Sequence, residues 1–532
     1  MKSSHSLALV AAAAFFVPSG ALVAQDSEAP SLVLMVTVDQ LRSDLVSRYD
    51  EVFTGGLRRF LDDGYNYTGA SHAHAVTHTA AGHATLSTGV FPSRSGIVAN
   101  SWQHRENGEW RSMYAVEDRD HPILGFETVP QLPGRSPVNM KRTGIADWIL
   151  EADSDARTVS VSSKDRAAIT MAGKTDENVF WLLSPLSRFI TSTFYEDRYP
   201  GWLNRFNDNV MPAIAADTAW TSEVPERFRG LARDDEGAPF EGDGTHTTFP
   251  HLSSQESSGG PQQHNAWAFG QSRADRAVAE LAKAAVDEME LGQRGHTDFL
   301  SISLSATDYV GHGYGPLSQE QLSNLIHLDR VLGDLLDYLD DEVGEDNWVA
   351  GFSADHGVVT MPEAAQAMGN DEAERILLTE MNGKIGDVAA KAMGGRGTPE
   401  EMAERTARAL EDEGLVARAY THDELTYGEP ADSFAVLFRN SHYPGRAHGQ
   451  LSQYGVEFRY GDGDLVSFPT GTTHGSPYWY DRQVPFILLG AGIDSGSSDR
   501  AVYTVDMAPT LAALAGIRTP DDLDGRVVTP GR

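Results

Sequence analysis

Three aspartates and three histidines, spread over four short motifs, have the types and spacing to share a metal centre. Asp39 closes an apolar run. Asp308-Tyr309-Val310-Gly311-His312 sets a carboxylate and an imidazole four residues apart, so both can reach one ion from a turn or helix start. Asp355-His356-Gly357 places two donors side by side, and Gly357 permits the turn that would let them converge. Thr473-His474-Gly475-Ser476 lies in a Gly-rich loop. Each motif alone has an ordinary reading: a capping Asp, a buried salt bridge, a loop His. Together, in a chain with no cysteine, they form a nitrogen and oxygen donor set for two zinc ions with open positions. Two metals about 4 Å apart clamp the attacking and leaving oxygens in phosphoryl transfer.

That chemistry also needs a nucleophile and an anion clamp. The stretch Thr77-His78-Thr79-Ala80-Ala81-Gly82-His83 leads into an Ala-rich helical run. A Thr there is commonly an N-cap. It is also well placed as a nucleophile, because a helix N-terminus is positive and a nearby metal lowers the pKa of a hydroxyl. Thr77 and Thr79 compete for either role. Ser163-Lys164-Asp165-Arg166 follows an apolar run in a chain with only seven lysines. A solvated turn is the plain reading of this segment. A clamp on phosphoryl oxygens is the functional one.

Composition narrows the classes. The 532 residues carry 42 basic against 76 acidic side chains, for a net charge of −34. Solubility alone could account for this. Such a surface repels phosphate backbones, so no nucleic-acid binding by a basic face is expected. An anionic substrate would need a locally positive site, such as metal ions. The lack of cysteine excludes disulfides, thiolate-bound zinc and thiol catalysis.

These residues must be positioned by an α/β framework. Apolar runs at 31–38, 157–163, 298–305, 348–353 and 484–489 read as buried parallel strands. Helical patterns lie between them, at 274–291, 319–340 and 506–515. Alternation of the two predicts a mostly parallel sheet flanked by helices. Its strand ends then converge on one crevice. Residues 175–264 read as an inserted cap and 363–447 as a smaller inserted lobe. Residues 1–24 read as a signal peptide cleaved near Ala24, with the catalytic domain spanning 25–532. A periplasmic or secreted protein is expected. The apolar start is too short to span a bilayer, so no membrane partner is expected.

In their order, strand-Asp39, Thr-x-Thr-x-x-Gly-His, Asp308-x3-His312, Asp355-His356-Gly and Thr-His474-Gly resemble the alkaline phosphatase superfamily. Ser-Lys164-Asp-Arg166 and Phe189-Ile190-Thr191-Ser192 are similar to its PafA-type, phosphate-insensitive branch with a Thr nucleophile. The resemblance runs from about residue 31 to 517. It implies the alkaline-phosphatase-like α/β fold and hydrolysis of a broad range of small phosphate monoesters. Thr79 would form a phosphothreonine. Asp308, His312 and His474 would bind one zinc. Asp39, Asp355 and His356 would bind the other, with Thr79 completing it. Asn100, Lys164 and Arg166 would bind the phosphoryl oxygens. In this branch the Lys stands where other members hold magnesium, so two Zn2+ and no third Mg2+ are expected. His72, His74, His78 and His83 would be packing or supporting groups, and a monomer is expected. The alternatives are a phosphodiesterase or nucleotide pyrophosphatase of the same superfamily, and an exported metal-binding protein without catalysis. Lack of cysteine argues against a sulfatase.

Overall fold

The computed structural model describes residues 29–235 and 238–531. The expected signal peptide falls outside the described residues. Nine strands form the main sheet: β1 (Leu32–Val38), β2 (Tyr65–Ser71), β3 (Thr158–Ser162), β4 (Val179–Leu183), β5 (Arg188–Ile190), β6 (Asp298–Leu304), β7 (Trp348–Ser353), β8 (Phe486–Gly490) and β9 (Gly496–Tyr503). Their order is β9-β2-β8-β7-β1-β6-β3-β4-β5.

The centre of the sheet is parallel. β1 pairs in parallel with β6 and β7, and β6 does so with β3. Continuous apolar sequence is what a strand covered on both faces requires. All seven residues of β1 are buried, and alternate side chains enter different cores. Leu32, Leu34 and Val36 pack with the helices Arg273–Met289 and Gln319–Glu342. Val33 and Met35 pack with Ile145–Ala152 and Met507–Leu514. The result is a helix–sheet–helix sandwich.

Register then sets the site. Val38 lies opposite Leu304, Thr37 opposite Ser353, and Ser303 opposite Ser162. Four adjacent strands therefore end at one level. Asp355 and His356 follow β7, Asp39 follows β1, Asp308 follows β6 and Lys164 follows β3.

The structure departs from the sequence reading in three places. The strand expected at 484–489 exists, but it runs antiparallel to β7. The stretch read as a cap from 175 begins with β4 and β5, which extend the main sheet; the apolar run Phe180-Trp181-Leu182-Leu183 was the missed signal. The lobe continues past 447, because its core includes Leu451 and Val456 and Arg375–Leu377 pairs with Leu465–Ser467. Among the described residues no helix is long and apolar enough to cross a membrane.

Candidate active site

Thr79 is the first residue of helix α1 (Thr79–Thr88), with His78 as its N-cap. The expected capping Thr is thus one position inside the helix, where its hydroxyl faces the site. Gly82 lets α1 lie on the next element, since a side chain there would collide with the Asp355 carbonyl. That close approach brings Thr79 to the end of β7.

The six donors fall into two groups. One donor atom each from Asp308, His312 and His474 lies within 4.8 Å of the others, and the same holds for Asp39, Asp355 and His356. Asp308 and His312 sit one turn apart on helix α2 (Ala306–Tyr314). Their separation of Nε2 from Oδ1 is 3.2 Å. His356 Nε2 is 3.4 Å from both Asp39 and Asp355. The rings of His356 and His474 stack with centroids 3.5 Å apart, so the two groups adjoin.

Each of these imidazoles is oriented by a backbone carbonyl. Nδ1 of His312 faces the Thr472 oxygen at 2.8 Å, that of His474 the Thr77 oxygen at 2.6 Å, and that of His356 the Gly357 oxygen at 2.9 Å. A carbonyl can only accept, so Nδ1 carries the proton and Nε2 presents its lone pair inward. Asp39 Oδ1, Asp355 Oδ2 and His356 Nε2 are buried without hydrogen-bond partners. Orphaned buried acceptors are costly, and a divalent ion at this group would satisfy all three. The nitrogen and oxygen donors of both groups fit divalent metal ions.

Charge follows the same pattern. Burial, with repulsion from Asp308 and Asp355, pushes the Asp39 carboxyl well above its ordinary range. Burial opposes ionisation of Asp308 and Asp355 as well. Lys164 and His312 outweigh it at Asp308, and His356 and His83 at Asp355, so both are held low. Lys164 Nζ stands 2.5 Å from Asp39 and 2.5 Å from Asp308, between the two groups. Burial opposes its charge, but Asp308 and Asp39 raise its pKa above the usual ammonium value.

The remaining predicted residues gather at Thr79. Arg166 Nη2 is 3.4 Å from Thr79 Oγ1. Asn100 Oδ1 accepts from the Ala80 N–H at 2.9 Å, which leaves its amide donors available. All ten predicted site residues are thus brought to one end of the sheet. Thr77 is not with them: its hydroxyl donates to the Ser476 carbonyl at 3.0 Å.

Sequence reasoning missed several supporting residues. Gln40 donates from its backbone to Asp355 and from its side chain to Asp308, at 3.1 and 2.9 Å, bridging the two groups. It does so from a left-handed backbone with φ 68°, a conformation that costs a non-Gly residue energy. Its position beside Asp39 was the available signal. Tyr114 donates to Asp165 and contacts Arg166 Nη1 at 3.5 Å. Tyr309 places its ring 5.1 Å from Lys164 Nζ. His83, which the sequence reading did expect as a packing or supporting group, bridges the Thr79 carbonyl and Ser303, both at 2.8 Å.

The chain matches the family model for type I phosphodiesterase / nucleotide pyrophosphatase over residues 33–466. It is 30% identical to alkaline phosphatase PafA of Elizabethkingia meningoseptica, across 96% of this chain and 97% of that protein. The chain belongs to the PafA-type branch of this family. A second relative of the branch is alkaline phosphatase PhoV of Synechococcus elongatus, 29% identical across 94% of this chain and 92% of its own. A crystal structure of PafA altered at a threonine, an asparagine, a lysine and an arginine superposes with a TM-score of 0.84 and 27% identity. It covers 95% of this chain and 99% of that one. The PafA-type fold expected from sequence, a mostly parallel sheet flanked by helices, is the one observed.

Proposed function

We propose that this protein is an exported alkaline phosphatase that hydrolyses a broad range of small phosphate monoesters through a phosphothreonine at Thr79. Relatives named alkaline phosphatases over nearly the full chain support the reaction class. The observation that carries the reading is the Arg166 guanidinium at Thr79 Oγ1, beside Lys164 buried between two carboxylate–imidazole groups. The altered residue types in the PafA variant, Thr, Asn, Lys and Arg, are the types of Thr79, Asn100, Lys164 and Arg166.

Asp308, His312 and His474 would hold one zinc ion, and Asp39, Asp355 and His356 the other, with Thr79 beside it. When bound, the ions supply Lewis-acid polarisation of the phosphoryl group and lower the pKa of coordinated oxygen. The protein's own groups do the rest. Thr79, at the positive end of α1, gives its hydroxyl proton to solvent and forms its Oγ–P bond as the ester O–P bond breaks and the departing oxygen takes a proton from water. Water then attacks the phosphothreonine and loses a proton, the Thr79 oxygen leaves and takes a proton back, and inorganic phosphate departs. Arg166 and the Asn100 amide donate to equatorial oxygens, where charge is spread in the transition state. Lys164 adds positive charge from between the two donor groups.

The test compares kcat/KM for an aryl phosphate monoester and its diester on the purified, zinc-loaded protein. The monoester should be favoured by at least tenfold. A preference for the diester would replace this reading with the diesterase one.

A further inference from the structure

A third set of donors lies in the inserted lobe. His422 opens the helix His422–Tyr427, His442 follows the helix Ser433–Ser441, and Glu457 stands on the strand Val456–Arg459. That strand pairs antiparallel with Arg418–Thr421, with Thr421 opposite Val456. His422 and Glu457 therefore leave neighbouring strand ends. One donor atom from each of the three residues lies within 4.8 Å of the others.

The geometry is close to a coordination shell. His422 Nε2 and Glu457 Oε1 are 3.1 Å apart. Two ligands on a tetrahedral ion with bonds of about 2.0–2.1 Å sit roughly 3.3–3.4 Å from each other. The His422 and His442 ring centroids are 4.3 Å apart. His442 Nδ1 is buried without a hydrogen-bond partner. Ser452 Oγ stands 3.4 Å from His422 Nε2 and hydrogen-bonds the Glu457 carboxylate, so a hydroxyl is at hand as a fourth contact. A His–Glu ion pair alone would not bring in the second imidazole with its nitrogen unpartnered.

We propose that His422, His442 and Glu457 bind a divalent transition ion of the zinc type, in addition to the two proposed at the strand ends. Two imidazoles and a carboxylate with no thiolate suit zinc over calcium or magnesium. Glu457 and Ser452 line the same cavity as His474 and His78, which supplies an entry path. The ion would have a structural role, because three separate lobe elements meet at it. The helix that precedes His442 also grips the segment feeding Thr79. Ser441 Oγ accepts from the Ala75 and Val76 N–H groups at 2.8 and 3.1 Å, and Asn440 Nδ2 donates to the Ala73 carbonyl at 2.6 Å.

The experiment is elemental analysis of zinc-loaded, dialysed protein, with crystals of the parent measured at the zinc absorption edge. The H422A/H442A variant should hold one equivalent less than the parent and retain monoester turnover within a few-fold. An anomalous peak should appear among the three residues. The D308N variant should lose ions from the strand ends while keeping the lobe peak, which separates this site from the proposed active centre. If the double variant does not fold, E457Q carries the same comparison. Equal zinc content in parent and lobe variants, or no anomalous peak at the cluster, would overturn the proposal.

Discussion

Thr79 and Thr77 stand two residues apart, and their hydroxyls have different partners. Thr79 Oγ1 faces Arg166, whereas the Thr77 hydroxyl is committed to the Ser476 carbonyl. Thr79→Ala is expected to lose most turnover while zinc content is unchanged, and Thr79→Ser to keep a substantial part. Thr77→Ala should cost far less, through the His474 position that the Thr77 carbonyl supports. Single-turnover phosphate release with metal analysis of the three variants checks the order; a dead Thr77→Ala would move the nucleophile by two residues. Arg166 allows a second test. A charge-assisted hydrogen bond is worth roughly 1.5–3 kcal/mol, so Arg166→Ala should lower monoester kcat/KM by about ten- to a hundredfold. Diester hydrolysis should fall less, because one of the contacted oxygens is then esterified. Equal losses on both substrates would make Arg166 a support for Thr79 rather than a reader of the substrate. Asp39, Asp308, His312, Asp355, His356, His474 and the Lys164–Arg166 pair could be proposed from the sequence itself because Asp, His and a rare Lys at strand ends have few other reasons to recur together, whereas Asn100 and the choice of Thr79 over Thr77 came from the family resemblance. Tyr114 and Tyr309 could not, since phenols are common and their partners lie far off in the chain, and Gln40 had only its position beside Asp39 to mark it.

At the level of elements, legibility followed burial. β1, β6 and β7 are covered on both faces and read as unbroken apolar runs, so their existence and ends were evident. β2 (Tyr-Asn-Tyr-Thr-Gly-Ala-Ser) buries only two of its seven residues and β9 only one of its eight, near one sheet edge, and their composition resembles loop. The direction of β8 depends on how the lobe returns the chain, which no local pattern encodes. The inserted segment after β5 carries its own electrostatic clamp. His251 is fully buried and faces Glu256 at 2.9 Å and Glu320, on the helix Gln319–Glu342, at 3.3 Å. Burial opposes its charge, but hydrogen bonds and attraction from the two carboxylates outweigh it and push its pKa up to about 9. A folded-state pKa above the unfolded value of about 6.5 stabilises the fold in full below that pH. The contribution declines as pH rises and is lost as it passes about 9. Its size is on the order of 3 kcal/mol. Urea unfolding between pH 6 and 9.5 should therefore show falling stability in the parent and a flatter profile in His251→Gln. Parallel profiles would show that the imidazole is neutral in the folded protein.

Across the whole molecule, the proposed ions join parts of the chain that lie far apart in sequence. Asp39, Asp308, Asp355 and His474 come from the ends of three adjacent strands and from a loop near the lobe, so an ion pair there cross-links the sheet to everything inserted between its strands. Without cations the site gathers three buried carboxylates in a protein of net charge −34, and Lys164 offsets only part of that repulsion. An ion present at about a thousand times its Kd stabilises the native state by roughly 4 kcal/mol. In the H422A/H442A variant, which lacks the lobe site, stripping the two strand-end ions with a chelator should then lower Tm on the order of 10 °C, given a few degrees or less per kcal/mol in a chain of this size. Zinc should restore it. Salt provides the discriminating arm: 0.5 M NaCl screens the acidic surface and should recover some of the loss, but buried charges are screened much less. Full recovery by salt would mean that surface repulsion, not vacancy at the strand ends, destabilised the stripped protein. A Tm insensitive to both chelator and zinc would mean that the Asp and His groups stand without structural help from metal. Calorimetry on four samples, loaded and stripped at low and high salt, separates these outcomes.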